Sequence, residues 1–266
     1  MSKLEVYESP IDGLSVMYEA ESTLRPDIVT DGLALHAALS IDYEANDRVR
    51  IYELGMGSAP FLSLLARRIP EHVSVELLGV DISEEAIKIA EINLASTLET
   101  RGNKDDNFTI VPKSWTDIGL MLDGFEIGYF NPPYLPAGEE VRVEWRSAPS
   151  ISMYVEGSDD GLDHYRWLIP RKARLISPGG SLYIRTPRDF KKFVELKNLS
   201  IASIGEKAVQ ALFVQSEDEK REGRALLLRD DTQRTRKDPI FIDIDQNETR
   251  ILRMEEGLIG NNAGIA

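Results

Sequence analysis

The chain has 266 residues, 42% of them hydrophobic, and no cysteine, so it can bury one large core but has no disulfide or thiolate chemistry. Its start carries no apolar signal region and it has no apolar run of roughly 18 residues, so we expect a cytoplasmic protein that does not enter a membrane. A formal net charge of −14 repels a phosphate backbone, which argues against nucleic acid as a partner and favours a neutral or cationic one.

Strands and helices alternate through the middle of the sequence. We predict strands at residues 49–54, 73–80, 107–111, 125–130 and 181–185, and helices at 59–68, 83–98 and 165–175. This alternation is typical of a parallel sheet with helices on both faces. Ligands in such sheets bind beyond the carboxyl ends of the strands, so functional residues are expected just after strands one, two and four.

The two ends of the chain differ from this pattern. Residues 207–215 and 224–228 predict an antiparallel hairpin, and 239–244 and 249–254 predict a second one. We therefore divide the chain into a helical N-terminal lead-in or lid (1–45), a central α/β domain (46–230) and a C-terminal extension (231–266). A homodimer through the added segments is left open.

A glycine-containing turn follows the first strand. Gly55 and Gly57 allow the backbone to turn tightly and to approach a ligand. Pro60 stands where the dinucleotide pattern has its third glycine, so a pyrophosphate is not predicted. Glu53 is expected to reach the far end of the bound molecule.

An acidic residue, Asp81, ends the second strand, where a carboxylate can accept both ribose hydroxyls of a nucleoside. Its neighbour Ile82 is expected beside the nucleoside, while Ser83 caps the next helix. Ser114 and Trp115 follow the third strand, at the position expected for the adenine edge, although Trp115 is equally suited to the core. Together these positions predict an adenine nucleoside cofactor.

The fourth strand ends in Asn131-Pro132-Pro133-Tyr134. Two prolines cannot continue a central strand, so the chain leaves the sheet as a stiff loop. The side-chain oxygen of Asn131 and a backbone carbonyl can accept both N–H bonds of a planar NH₂ group and align its nitrogen for in-line displacement. Tyr134 can pack on that planar group or stabilise its developing charge. We assign catalysis to Asn131, Pro132 and Tyr134, with S-adenosyl-L-methionine as methyl donor.

These segments resemble class I methyltransferases of the HemK/PrmC type, which methylate the glutamine amide of release factors. The matching segments are 53–57, 80–83 and 130–134, the acidic segment 155–166, and Leu24-Arg25-Pro26-Asp27, which resembles the segment that closes over substrate and cofactor. The resemblance covers about residues 20–190. It implies a Rossmann-like α/β fold with a seven-stranded, mostly parallel sheet ending in an antiparallel hairpin at 208–229. It also makes 46–230 the S-adenosylmethionine-binding catalytic domain and gives Arg25 a substrate-binding role.

The identity of the substrate is left open. Only some two dozen residues precede Arg25, and strand five is followed by residues 186–189 rather than the family's usual glycine and glutamine. A free amino acid such as arginine is an alternative, because the acids flanking the site, Glu19, Glu21, Glu140 and Glu144, can pair with a guanidinium group, and Arg142 or Arg146 with a carboxylate. Adenine-N6 methylation of nucleic acid is a third alternative. A non-catalytic adenosine-binding subunit would not need Asn131, and no metal site is predicted.

Overall fold

The protein is described here from a computed structural model that covers residues 3–19, 23–117, 124–132, 160–174, 179–187, 189–216, 221–229, 239–245, 248–255 and 258–261. Across these residues the chain forms twelve strands and five α-helices. No helix among them combines the length and apolar character that crossing a bilayer requires.

The strands are β1 (Leu4–Glu8), β2 (Ser15–Glu19), β3 (Arg48–Leu54), β4 (Ser74–Asp81), β5 (Asn107–Pro112), β6 (Ile127–Phe130), β7 (Ser181–Thr186), β8 (Val209–Ser216), β9 (Arg221–Arg229), β10 (Ile240–Asp245), β11 (Glu248–Glu255) and β12 (Leu258–Asn261). The helices are α1 (Ile28–Leu39), α2 (Pro60–Arg68), α3 (Glu84–Arg101), α4 (Asp163–Leu168) and α5 (Phe190–Ile204). A 3₁₀ segment, Ile169–Arg174, continues α4, so the helix predicted at 165–175 is in part a tighter turn.

The central sheet confirms the predicted α/β class. Its strand order is β12-β11-β10-β8-β9-β7-β6-β3-β4-β5, and the five strands from β7 to β5 run parallel. Two apolar cores cover its faces: α1, α2 and α3 pack on one, and α4 and α5 on the other. Strand β6 is buried along its whole length because both faces are covered, which explains its unbroken apolar sequence.

Local capping explains where helix α3 begins and ends. Ser83 accepts a hydrogen bond from the Ala86 amide, and Glu84 and Glu85 occupy the first turn, as the sequence predicts. Gly102 ends the helix in the left-handed conformation that glycine adopts without steric cost. The helix thus continues three residues beyond the predicted end.

The predicted seven-stranded sheet is present as β8-β9-β7-β6-β3-β4-β5, and among the described residues the C-terminal extension lengthens it to ten strands. The hairpin β8–β9 forms as predicted, and β10 then pairs in parallel with β8. Strand β11 pairs with β10 and β12 with β11, both antiparallel. Ile242 and Ile244 of β10 are buried against α1, so burial of apolar area drives this addition.

The N-terminal segment differs from the predicted helical lead-in. Among the described residues of 1–45 only α1 is an α-helix, and the antiparallel hairpin β1–β2 precedes it. Asn93 of α3 fixes that hairpin: its side chain bonds both the amide and the carbonyl of Met17, at 3.0 and 2.8 Å. It also donates to the carbonyl of Ser58 at 2.8 Å. The hairpin is therefore tied to the turn that follows β3. The division into 1–45, 46–230 and 231–266 stays a prediction.

Candidate functional site

Sheet register aligns the ends of four parallel strands. Leu54 pairs with Val80 on one side and with Phe130 on the other, and Phe130 pairs with Ile184. The residues that follow them directly therefore form one row at the carboxyl end of the sheet. This row, from β4 to β7, consists of Asp81, Gly55, Asn131 and Arg185. Neighbouring strands lie about 4.8 Å apart, so the row brings the predicted cofactor and acceptor residues together.

The turn after β3 contains three residues in the left-handed conformation and leaves an open concavity. Gly55 and Gly57 have φ of +59° and +54°, and apart from their own chain neighbours no atom of the described residues lies within 4 Å of where a Cβ would stand on either residue. Ala59 also has a left-handed φ of 56°, which costs an L-residue about 1–2 kcal/mol. Pro60 then begins α2. The loop leaves space above its backbone for a ligand.

Asp81 links this loop to strand β4. One carboxylate oxygen accepts the Gly57 amide at 2.8 Å, and the other accepts the Ser83 amide at 2.9 Å. The side chain is 8% exposed, and each oxygen keeps a further lone pair for a ligand hydroxyl. Ile82, the next residue, is 53% exposed, so an apolar side chain stands open to a ligand at the position predicted for it.

Glu53 lies near the end of β3 and is buried, and its carboxylate accepts the Leu62 amide in the first turn of α2 at 3.1 Å. Burial raises the pKa of Glu53 to about 8, although the amides of Leu62 and Phe61 favour its charged form. The negative charge of Asp81 raises the pKa further. In this structure Glu53 therefore fixes the helix that follows the glycine turn.

Glu53→Gln is expected to make stability less dependent on pH. The raised pKa stabilises the folded state fully below pH 4.5, and this contribution is lost as the pH rises towards about 8. The variant removes that titration but keeps an oxygen for the α2 amides, so its free energy of unfolding should fall by roughly 1 kcal/mol less per pH unit in this window. Urea unfolding from pH 5 to 9 measures this slope. Glu71→Gln, at an exposed position, should keep the wild-type slope; an unchanged slope in Glu53→Gln would contradict the assignment.

Asn131 has an unused hydrogen-bond acceptor. Its side-chain oxygen is buried and has no hydrogen-bond partner among the described residues. Leaving a buried acceptor unpaired costs about 1–3 kcal/mol, so such atoms point to a missing ligand. Pro132, which follows it, is also buried. The arrangement suits a donor group presented to Asn131.

Trp115 lies in an aromatic cluster beside strand β6. Its ring centroid is 4.8 Å from Phe130, 5.1 Å from His164 and 5.0 Å from Trp167. The indole is half-buried, so one part packs on the core and another remains accessible. Ser114 forms a 2.8 Å hydrogen bond with Thr116 and lies at the surface. Both readings of Trp115, core residue and ligand wall, are therefore compatible with its position.

A buried polar network that the sequence did not predict borders Asn131. Arg185 donates to both carboxylate oxygens of Asp27 at 2.8 Å. Thr30 contacts Asp27 and the hydroxyl of Tyr129, each at 3.0 Å. Burial alone would raise the pKa of Asp27, but the charge of Arg185 and the Thr30 hydrogen bonds outweigh it and lower the pKa. The available signal was a single arginine near the end of β7, directly after the apolar run Leu182-Tyr183-Ile184.

The remaining predicted site residues are distributed unevenly. Arg25 is exposed and lies three residues before Ile28, the first residue of α1. Glu19 ends strand β2, where its backbone amide bonds the Thr23 hydroxyl at 3.1 Å. The others lie outside the described residues, namely Pro133, Tyr134, Glu21, Glu140, Arg142, Glu144 and Arg146.

Sequence comparison finds relatives that are named as methyltransferases of release factors. No protein-family model matches the chain. It is 32% identical over 150 residues to a release factor glutamine methyltransferase of Caulobacter vibrioides, covering 54% of this chain and 47% of that one. It is 31% identical to the enzyme of the same name from Bradyrhizobium diazoefficiens, covering 64% and 54%. It is also 31% identical to the eRF1 methyltransferase catalytic subunit of Schizosaccharomyces pombe, covering 50% and 56%. The chain spans about half the length of these curated relatives.

Solved structures confirm the fold. A Listeria monocytogenes protein assigned to the class I S-adenosylmethionine-dependent methyltransferases aligns with a TM-score of 0.54 at 17% identity, covering 85% of this chain and 66% of that one. A SAM-dependent methyltransferase from Agrobacterium tumefaciens aligns with a TM-score of 0.54 at 13% identity, covering 87% and 72%. The chain therefore has the fold of class I S-adenosylmethionine-dependent methyltransferases and resembles, over half or more of its length, the release factor glutamine methyltransferases.

Proposed function

We propose that the protein is an S-adenosylmethionine-dependent N-methyltransferase whose acceptor is the side-chain amide of a glutamine in a translation release factor. The observation that carries the proposal is the buried side-chain oxygen of Asn131 at the carboxyl end of β6, which has no hydrogen-bond partner in the described part of the chain. The relatives named for release factor methylation support this choice of acceptor. A cytoplasmic location belongs to the same proposal, because translation ends there.

The cofactor fits the residues on the β3–β4 side of the row. The open space above Gly55 and Gly57 admits the backbone-proximal part of a ligand, and Asp81 has lone pairs left for ribose hydroxyls. Ile82 and Trp115 offer apolar surface to the adenine. When bound, S-adenosylmethionine supplies an electrophilic methyl group on a sulfonium centre. Glu53, behind the loop, would shift towards its ionised form when the cofactor binds, because the ammonium group at the amino-acid end of the cofactor favours a nearby negative charge.

Asn131 and Pro132 would hold the acceptor. The Asn131 side-chain oxygen accepts one N–H of the glutamine amide, and a backbone carbonyl of the Asn131-Pro132 pair accepts the other. Two such bonds fix the plane of the NH₂ group, so that its nitrogen lone pair faces the methyl donor. They also stabilise the positive charge that develops on nitrogen. No strong base is needed, because the methylated nitrogen becomes acidic and releases its proton afterwards.

The test is transfer of a labelled methyl group to three acceptor pools: a purified release factor from the same organism, free arginine and glutamine, and a mixture of DNA and RNA. We expect label on the release factor, which peptide mass spectrometry should locate on a glutamine side chain. Omitting the protein controls for chemical transfer. Labelling confined to nucleic acid would overturn the proposal in favour of adenine methylation, and labelling confined to free arginine would do so in favour of a small-molecule enzyme.

A further inference from the structure

A single arginine lies beside Asn131 in the carboxyl-end row. Arg185 follows Ile184, which pairs with Phe130, so Arg185 and Asn131 occupy neighbouring strands at the same level. The Arg185 side chain is only 8% exposed and its Asp27 partner 16%. Two charges removed from water this far are expensive unless their geometry is good. Here both Asp27 oxygens lie 2.8 Å from one guanidinium nitrogen.

Three further contacts join this ion pair to the segments around the acceptor site. Asp27 caps α1 through the Thr30 amide at 2.9 Å. Thr30 bonds the hydroxyl of Tyr129, two residues before Asn131, at 3.0 Å. The Tyr165 hydroxyl of α4 donates to the backbone carbonyl of Arg185 at 2.8 Å. Helix α1, strand β6 and helix α4 therefore meet at Arg185.

The Arg185–Asp27 ion pair fixes Asp27 beside β7, and a separate set of hydrogen bonds fixes strand β2. Strand β2 is anchored beside the glycine turn by Asn93, which bonds Met17 and the Ser58 carbonyl. Asp27 is anchored at the opposite side of the site, on β7. Strand β2 is thus held on the cofactor side of the row and Asp27 on the acceptor side. Thr23 bonds the Glu19 carbonyl through its amide at 2.8 Å and through its hydroxyl at 3.1 Å, so it stays with β2, whereas residues 24–26 directly precede the second anchor.

We propose that Arg185 is a positioning residue that, through Asp27, holds residues 24–27 on the acceptor side of the site. The proposal rests on the proposed function for its kinetic consequence but not for its structural one. Arg185 acts through Asp27 and does not itself contact the reacting atoms. Loss of the ion pair should loosen residues 24–30 and weaken acceptor use, while the glycine turn and Asp81, on the other side of the row, stay intact.

The decisive variant is Asp27→Asn combined with Arg185→Met. The single Arg185→Met variant leaves a buried carboxylate unpaired and is expected to lose stability, whereas the double variant removes both charges and keeps an oxygen to cap α1. We expect a folded protein whose dissociation constant for S-adenosylhomocysteine, by calorimetry, stays within about threefold of wild type. Its kcat/KM for the release factor should fall at least about tenfold. Arg185→Lys should recover part of this loss, because a single nitrogen makes the contacts to Asp27.

Hydrogen exchange supplies a readout independent of activity. Amides of residues 24–30 should exchange at least about tenfold faster in the double variant, while Arg48→Met, at an exposed ion pair with Glu76, should match wild type. If residues 24–30 exchange at the wild-type rate in the double variant, the proposal is overturned. It is also overturned if they exchange faster while kcat/KM for the release factor stays within about threefold of wild type. If the wild-type protein methylates no release factor, the proposed function fails, and exchange at residues 24–30 still decides whether Arg185 holds the segment.

Discussion

Asn131→Ala is expected to lower the rate of methyl transfer by roughly 10²–10³-fold, the usual effect of removing one preorganised hydrogen-bonding group from a reaction site. Cofactor affinity should change little, since the cofactor residues lie mainly on β3 and β4. The free energy of unfolding should stay within about 1 kcal/mol of wild type, because the side-chain oxygen has no described partner to lose. Single-turnover kinetics, calorimetry with S-adenosylhomocysteine and urea unfolding measure the three quantities.

The combination of outcomes identifies the role of Asn131. If the Asn131 amide has a structural role, the variant should lose stability and activity together. If its oxygen only holds the acceptor amide, the variant should lose activity alone. Asn198→Ala, at an exposed site on α5, is the matched control and should retain wild-type values for all three measurements. Unchanged methyl transfer in Asn131→Ala, or an equal loss of cofactor binding and turnover, would show that Asn131 does not hold the acceptor.

Asp81→Ala is expected to weaken cofactor binding by roughly 10–100-fold, which corresponds to the loss of charge-assisted hydrogen bonds worth about 1.5–3 kcal/mol. Part of this loss comes from the protein itself, because the Gly57 and Ser83 amides lose their acceptor. The variant should therefore also lose about 1–2 kcal/mol of stability. Calorimetry with S-adenosylhomocysteine and urea unfolding measure the two effects.

A cycle with a modified ligand separates ribose binding from support of the loop. The 2′-deoxy form of S-adenosylhomocysteine should bind wild type about tenfold or more weaker than the parent compound. In Asp81→Ala the two ligands should bind alike, because the partner of the missing hydroxyl is gone. If removal of the hydroxyl costs the same affinity in both proteins, Asp81 only supports the glycine turn.

Local chemistry made the central elements predictable. The strands Arg48–Leu54, Ser74–Asp81 and Ser181–Thr186 lie within one residue of their predicted bounds at each end. They were predictable because apolar runs between turn residues mark buried strands. The cap at Ser83 and the left-handed glycines of the first turn depend on neighbours in sequence and were predicted for that reason. The alignment of Gly55, Asp81 and Asn131 at one end of the sheet follows from parallel strand order alone.

Pairings between distant segments were not predictable in the same way. The hairpin β1–β2 is held by Asn93, 76 residues beyond Met17, and no local pattern indicates that contact. Strand β10 reads as half of a hairpin, which it is, but its parallel pairing with β8 depends on the edge that β8 leaves open. A periodic pattern shows which face of a strand is buried and does not show which strand lies beside it.

By itself, the sequence determined the α/β class, and it predicted the end of the sheet where a ligand binds and the planar NH₂ group that Asn131 and the two prolines suit. The tertiary structure decided what surrounds that group. It brought Arg185 within 2.8 Å of Asp27, 158 residues earlier in the chain, and left the Asn131 oxygen buried without a described partner. Both results depend on how separate segments pack and on how much water they exclude, and neither quantity is encoded in any short stretch of residues.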